Sequence, residues 1–236
     1  MAGDRCGEAL TGGIQDAEIE GLSGKCLLTP PGKYCSLTHM TGIILAGGES
    51  SRMGSNKAFL MLQGRPLVGH ILAVFLRLFE QTVIVTNEPE RYADFRVRVV
   101  RDVLDVRGPL TGIYTGLLHA RSDHIFVAAC DMPFLNARLI AYMQEVAGQF
   151  DAVAPAVNGL SEPLHAIYHR RTLPVLRELI VSGERRASRF LDTIRVRFLT
   201  DTEIVHYDPQ RLSFKNLNTP EDYKEAVCSD SACRNC

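Results

Sequence analysis

Charge of one sign is what this chain most lacks. Its 26 Lys and Arg against 27 Asp and Glu leave a formal net charge of −1. No overall basic excess recommends nucleic acid as a partner, so any anion must be held by local positive charge. Long apolar runs are missing too, and no stretch is long enough to span a membrane. Residues 1–39 contain no basic region leading into an apolar one, so no secretory leader is read there. There are no internal repeats. Of the seven cysteines, Cys6, Cys26, Cys35, Cys228, Cys233 and Cys236 fall in the two tails and only Cys130 in the body. That distribution argues against a disulfide framework and for a cytosolic chain with reduced thiols. Cys233-x-x-Cys236 has no second close pair, so it reads as a loose tail rather than a metal site.

What is present suffices for one large α/β domain: 236 residues, 46% hydrophobic and 22% charged. Residues 1–39 carry scattered Gly and Pro, including Thr29-Pro30-Pro31-Gly32, without periodicity. They are expected to be a disordered extension, or an over-long start with Met40 the true initiator. The domain is expected over 40–228, with a flexible tail over 229–236. Apolar runs predict strands over 41–46, 82–86, 97–100, 124–129, 151–155 and 163–168, with shorter ones over 194–199, 203–207 and 214–218. Helical spacing predicts helices over 68–79, from Gly108 to about Ala120, from the N-cap Asn136 to about Ala147, over 173–181, and from Thr219-Pro220 onward. Strands alternating with helices imply a mostly parallel sheet covered on both faces. Polar residues follow the strand ends at Gly47, Asn87, Asp102 and Asp131. Ligands of open α/β sheets bind at the carboxyl ends of strands, so these distant residues could meet along one edge.

The segment Leu45-Ala46-Gly47-Gly48-Glu49-Ser50-Ser51-Arg52-Met53-Gly54-Ser55-Asn56-Lys57 follows the first strand. Glycines let backbone N–H groups approach a polyphosphate, and Arg52 and Lys57 add charge-assisted contacts. It is not a P-loop, because Ala58 follows Lys57, and it contains no Gly-x-Gly-x-x-Gly fingerprint. Asp131 suits a magnesium ligand, since a carboxylate beside a triphosphate needs a cation between them. Asn87 and Asp102 could read a base or ribose, or simply begin turns. Gly108-Pro109-Leu110-Thr111-Gly112 brings a helix N-terminus toward a ligand. His165 reads as a satisfied histidine on a strand rather than a base. Gly183-Glu184-Arg185-Arg186 either grips phosphate of a second substrate or forms a solvated turn.

In this order the motifs resemble the molybdenum cofactor guanylyltransferases, over about residues 41–227. The likeness rests on Leu45-Ala46-Gly47-Gly48, Ser51-Arg52-Met53-Gly54, Lys57, Gly108-Pro109-Leu110-Thr111-Gly112-Ile113, Cys130-Asp131-Met132-Pro133, Gly183-Glu184-Arg185-Arg186 and Asn216-Leu217-Asn218-Thr219-Pro220. It implies a Rossmann-like three-layer nucleotidyltransferase fold. It implies transfer of GMP from GTP to the terminal phosphate of the molybdenum (molybdopterin) cofactor, with pyrophosphate leaving. Leu45, Ala46, Gly47, Lys57, Asn87, Asp102 and Asp131 would then bind GTP, Asp131 would hold Mg²⁺, and Asn216 and Asn218 would face the pterin. Arg52, Lys57 and Asp131 would carry the catalysis. Implied partners are GTP, the molybdenum cofactor and, transiently, cofactor-synthesis proteins or acceptor molybdoenzymes, in the cytoplasm. Relatives that use CTP typically read Leu-Ala-Ala-Gly and Pro-Pro-Leu, whereas Gly47 and Gly108 stand at those positions here. The chain departs from better-known members over Ser161-Glu162-Pro163-Leu164-His165. A cytidylyltransferase, another nucleotidyltransferase of the same fold, and a non-catalytic nucleotide-binding or cofactor-delivery module are the alternatives.

Overall fold

The computed structural model describes residues 38–47 and 57–228. β1 (Thr38–Leu45) is followed by a small ribbon of β2 (Met61–Leu62) and β3 (Arg65–Pro66), then α1 (Leu67–Leu78). Next come β4 (Phe79–Val85), β5 (Arg98–Val100), α2 (Pro109–His119), β6 (His124–Ala129) and α3 (Ala137–Ala147). The remainder is β7 (Ala152–Val157), β8 (Leu160–Ser161), β9 (His165–His169), α4 (Leu173–Val181), α5 (Ala187–Leu191), β10 (Val196–Leu199), α6 (Asp201–Tyr207) and α7 (Pro220–Cys228). The main sheet runs β10-β7-β9-β6-β1-β4-β5, with β8 paired to β7. Neighbours along it are parallel, except that β9 is antiparallel to both β6 and β7. This is the mostly parallel, three-layer α/β arrangement that the alternating pattern implied.

The layers follow from the two-residue period of the strands. Ile43 and Ile44, adjacent on β1, are both fully buried but enter different cores. Ile44 joins Phe75, Phe79 and Phe126 under α1 and α3, where Phe75 meets Phe126 edge-on at 5.7 Å. Ile43 joins Leu110, Ile113, Leu117, Leu176 and Phe190 under α2, α4 and α5. α2 lies close on β1 because two glycines face the strand. A Cβ on Gly116 would come within 2.8 Å of Ile43 Cγ2, and one on Gly112 within 2.9 Å of Leu45 Cδ2. Ile43 is β-branched and fully buried, so it cannot move aside easily. Gly116→Val should therefore overpack this contact and destabilise the fold by about 2 kcal/mol, lowering Tm by about 5 °C in thermal unfolding by circular dichroism. An unchanged Tm would show that α2 can shift without cost.

Several predicted elements differ. β1 begins at Thr38, earlier than the strand expected from Thr41, and so takes in the last residues assigned to the extension. The rest of that extension, and the tail over 229–236, lie outside the described residues. The strand expected over 203–207 is the helix α6. Its Ile204-Val205 and Tyr207 favour strand locally. A capping box overrides them: Glu203 N donates to Thr200 Oγ1 (3.3 Å) and Thr200 N to Glu203 Oε2 (2.9 Å). The strand expected over 214–218 is likewise absent. Residues Leu212–Phe214 form a 3₁₀ turn, and the segment after it touches the sheet end through Leu217 N donating to Asp131 O (2.9 Å). It is a strap, not a ladder strand. The ribbon β2–β3 and the short helix α5 were not anticipated.

Candidate active site

Strand order decides where this fold can bind a ligand. From β1 the chain builds outward through β4 and β5, then returns to place β6 on the other side of β1. The connections leave in opposite directions, so a crevice opens between the carboxyl ends of β1 and β6. At that point Ala46 N donates to Val85 O (2.9 Å), while Leu45 O accepts from Cys130 N (3.0 Å). A cavity of about 420 Å³ lies there. β1 contributes Leu45 and the residues after it, Ala46 and Gly47; β6 contributes Ala129 and the turn Cys130, Asp131 and Met132. The N-terminus of α2 contributes Gly108 and Pro109, and Lys57 and Asn216 complete that side.

Lys57 is anchored by its neighbours. Ala58 is fully buried, and Phe59 packs on Tyr92 with ring centroids 4.9 Å apart. Lys57 Nζ donates to Asn218 Oδ1 (2.9 Å). Asn218 is fixed in turn, its N–H donating to Asp222 Oδ2 (2.9 Å) at the start of α7. The C-terminal strap thus touches the site three times: Asn216 lines the pocket, Leu217 bonds the backbone of Asp131, and Asn218 holds Lys57. Burial raises the Asp131 carboxyl above its ordinary range, opposed by the nearby Lys57 ammonium and a backbone N–H. Cys130, beside it, has its thiol pushed up to about 12 by burial, which keeps it protonated and unreactive at neutral pH.

Asn87 and Asp102, after the ends of β4 and β5, do not line the cavity; they follow the next two strands along the same sheet edge. Asn87 Nδ2 donates to Asp102 Oδ2 (3.4 Å), and Thr115 Oγ1 donates to Asp102 Oδ1 (3.3 Å). Burial raises the Asp102 carboxyl, with the Thr115 and Asn87 hydrogen bonds working against it. A Cβ on Gly47 would lie 3.8 Å from Asn87 Nδ2, so the protein itself leaves room for a methyl there. Gly108 has φ +145°, which side-chain-bearing residues rarely adopt and which proline, fixed near −65°, cannot. The Arg185 Cδ lies 3.8 Å from where its Cβ would be, so the basic turn after α4 reaches the rim of the site.

The structure thus brings together Leu45, Ala46, Gly47, Lys57, Asp131 and Asn216, with Asn218, Asn87 and Asp102 adjoining. Arg52 lies outside the described residues. His165 is on a strand as expected, but it is not satisfied. It is 0% exposed, lies between Phe126 and Phe214 (ring centroids 5.1 and 5.0 Å), and neither ring nitrogen has a hydrogen-bond partner among the described residues. Burial lowers its pKa to about 3, so it is neutral at pH 7. Glu162, Pro163 and Leu164 also line the pocket. Their role was missed because nothing local marks them; they arrive through the antiparallel pairing of β9.

The fold agrees with known proteins. The molybdenum cofactor guanylyltransferase of Desulfosudis oleivorans is 36% identical over 197 residues, covering 83% of this chain and 98% of its own. A crystal structure of molybdopterin-guanine dinucleotide biosynthesis protein A from Archaeoglobus fulgidus superposes with TM-score 0.71 at 29% identity, covering 80% of this chain and 97% of its own. A protein of the same fold from Mycobacterium tuberculosis, 18% identical with TM-score 0.60 and covering 82% of this chain and 100% of its own, was crystallised in complex with manganese. Residues 42–198 match the MobA-like NTP transferase domain. A switch-point crevice with a lysine and a carboxylate on its walls is what a nucleotidyl transfer needs, and by this match the chain belongs to the MobA-like NTP transferase family.

Proposed function

We propose that this protein transfers GMP from GTP to the phosphate of the molybdenum cofactor, releasing pyrophosphate and forming the guanine dinucleotide cofactor. The observation that carries this reading is the convergence of Lys57 and Asp131, 74 positions apart in the sequence, on one crevice at the β1–β6 switch point. A phosphate oxygen of the acceptor attacks the α-phosphorus of GTP. A new P–O bond forms, and the bond to the β-phosphate bridging oxygen breaks. Two polyanions must approach, so charge neutralisation dominates. Lys57 holds triphosphate oxygens and the departing pyrophosphate, with Arg52 of the glycine loop assigned the same work. The acceptor phosphate is already ionised at neutral pH and needs no general base, which suits a neutral His165 outside the pocket lining.

The site's donors fit magnesium. Among the described residues no group of three or more His, Cys, Asp or Glu side chains forms a metal cage. Magnesium asks for less: one or two carboxylates, with substrate phosphates and waters filling the remaining positions. Asp131 supplies such a carboxylate in the pocket. When bound, the ion supplies Lewis-acid stabilisation of the phosphoryl oxygens. Leu45, Ala46 and Gly47 offer backbone to the nucleotide, Asn87 and Asp102 offer polar groups to its nucleoside, and Asn216 and Asn218 face the pterin. No helix among the described residues is long and apolar enough to cross a membrane. The reaction is assigned to the cytoplasm, with acceptor molybdoenzymes or other cofactor-synthesis proteins as transient partners.

Nucleotide choice tests the reading. Gly47 leaves space beside Asn87, and the backbone at Gly108 excludes proline, so the site differs at both positions from the Ala and Pro associated with CTP-using relatives. Incubating the protein with molybdenum cofactor, Mg²⁺ and each nucleoside triphosphate, with products identified by mass spectrometry, should give the guanine dinucleotide. GTP should exceed CTP by about tenfold or more in kcat/KM. Equal rates would remove the purine argument, and no nucleotidyl product would favour a delivery module.

A further inference from the structure

The pocket has a second carboxylate on its wall. Glu162 lines it together with Asp131 and Lys57. The two acids come from neighbouring antiparallel strands. β6 and β9 are in register from His124 opposite His169 to Ala128 opposite His165, and Ala129 N donates to Leu164 O (3.2 Å) at the end of the ladder. Asp131 lies two residues beyond Ala129, and Glu162 two residues before Leu164. Both chains turn just there. Met132 N donates to Ala129 O (3.3 Å), and His165 N donates to Glu162 O (3.1 Å). The turns therefore face each other across the end of the β6–β9 pair.

Glu162 is also held from its other side, its N–H donating to Pro155 O of β7 (3.0 Å). Its backbone is fixed from both directions, while its half-buried carboxylate has no hydrogen bond or ion pair among the described residues. Burial alone shifts it upward. An unpaired acid on the wall of a site that receives two phosphates repels both of them unless a cation intervenes. Among the described residues that line the cavity, Lys57 is the one cation opposite these two carboxylates, and it does not reverse that balance.

Building on the assignment of Asp131 above, we infer that Glu162 is the second protein carboxylate for the divalent cation held by Asp131. It acts from the β9 side of the pocket, away from Asn87 and Asp102 on β4 and β5. The pair supplies two hard oxygen donors from two facing turns, which is the number magnesium accepts beside substrate phosphates. Glu162 is thereby a ligand that sets cation affinity.

The test counts bound Mn²⁺, used alone, by the electron paramagnetic resonance of the free ion, with the full chain and three variants. Wild type should bind it, Asp131→Asn should lose it, and Glu162→Gln should bind about tenfold more weakly, because affinity for such ions follows ligand charge. Glu162→Asp, which keeps the charge, should recover part of the loss. Circular dichroism establishes that each variant is folded. Wild-type Mn²⁺ affinity in Glu162→Gln, with affinity lost in Asp131→Asn, overturns the role of Glu162 alone. So does a Glu162→Gln defect confined to KM for the acceptor, which would make the carboxylate a partner of N–H donors on that substrate. Wild-type affinity in Asp131→Asn overturns the Asp131 assignment and the shared site with it.

Discussion

Asp131→Asn should release pyrophosphate about a thousandfold more slowly than wild type, yet melt at a higher temperature at pH 7. The two effects have one origin. The carboxylate lies in a half-buried turn, and burial raises its folded pKa above the ordinary Asp range despite Lys57 nearby. Between the ordinary value and the raised one, the folded state binds more protons than the unfolded state, so stability falls as pH rises through that window. At pH 7, above the ordinary Asp value, the wild type carries a cost of this kind, whereas the neutral amide carries none of it. The backbone contact that ties the strap to the sheet, Leu217 N to Asp131 O, survives the substitution. The loss in turnover should therefore be chemical: an amide is a poor seat for a divalent cation, and the missing charge stabilisation amounts to several kcal/mol. Pyrophosphate release and thermal melts over a pH series check both halves, and the gain in Tm should vanish below about pH 4, near the ordinary Asp pKa. Near-normal turnover would remove Asp131 from the mechanism. A lower Tm at pH 7 would mean that the charged form is preferred in the fold.

The same opposition between stability and chemistry explains which parts of the molecule were legible in its sequence. Where local signals and tertiary packing agree, the boundaries coincide. β6 spans His124–Ala129 as its apolar run required, and α4 spans Leu173–Val181. α3 starts where Asn136 promised, the side-chain oxygen accepting from Arg138 N (2.9 Å) and Leu139 N (3.2 Å). Where they disagree, the shorter-range signal misled. Ile204-Val205 and Tyr207 spell strand, but the Thr200–Glu203 box starts a helix, and that pairing is visible in the sequence once sought. Asn216-Leu217-Asn218 looks like a strand because it alternates, yet it is held by single contacts to Asp131 and Lys57 that no periodicity encodes.

The site itself was half legible. Glycine, lysine and aspartate after strand ends stood out by residue type alone, and Gly47, Lys57 and Asp131 do line one crevice. Glu162 does not, because its meaning depends on β9 running antiparallel to its neighbours, a choice of direction that its apolar residues leave open. His165 is the converse. Its sequence neighbours predicted a buried strand correctly, but the partner expected for its ring is not found among the described residues. Phe126 and Phe214 occupy the positions where polar groups would have been needed.

Lys57→Ala should lower kcat for GMP transfer by about 10²–10³-fold, with a smaller change in KM for GTP. The argument turns on where charge develops. On the proposed reading the ground-state triphosphate would be shared between the cation and several groups of the site besides the lysine, so deleting one cation would weaken binding modestly. As the α–β bridge breaks, negative charge grows on the pyrophosphate, and a fixed ammonium in a half-enclosed pocket is worth most at that moment. Lys57 is fixed in this way: Ala58 and Phe59 anchor its backbone, and Asn218 Oδ1 orients its Nζ. Asn218→Ala should therefore reproduce only a small part of the defect, because it frees the ammonium without removing it. Lys57→Arg should recover more activity than Lys57→Gln, since charge rather than length is the requirement. Removing the cation also leaves Asp131 without its compensating neighbour, so that carboxyl should titrate still higher in Lys57→Ala and the acid limb of the pH–rate profile should move upward. Steady-state kinetics across pH separate these effects. A Lys57→Ala defect confined to KM would make the lysine a binding residue only, and charge stabilisation of the leaving group would then have to come from elsewhere in the site.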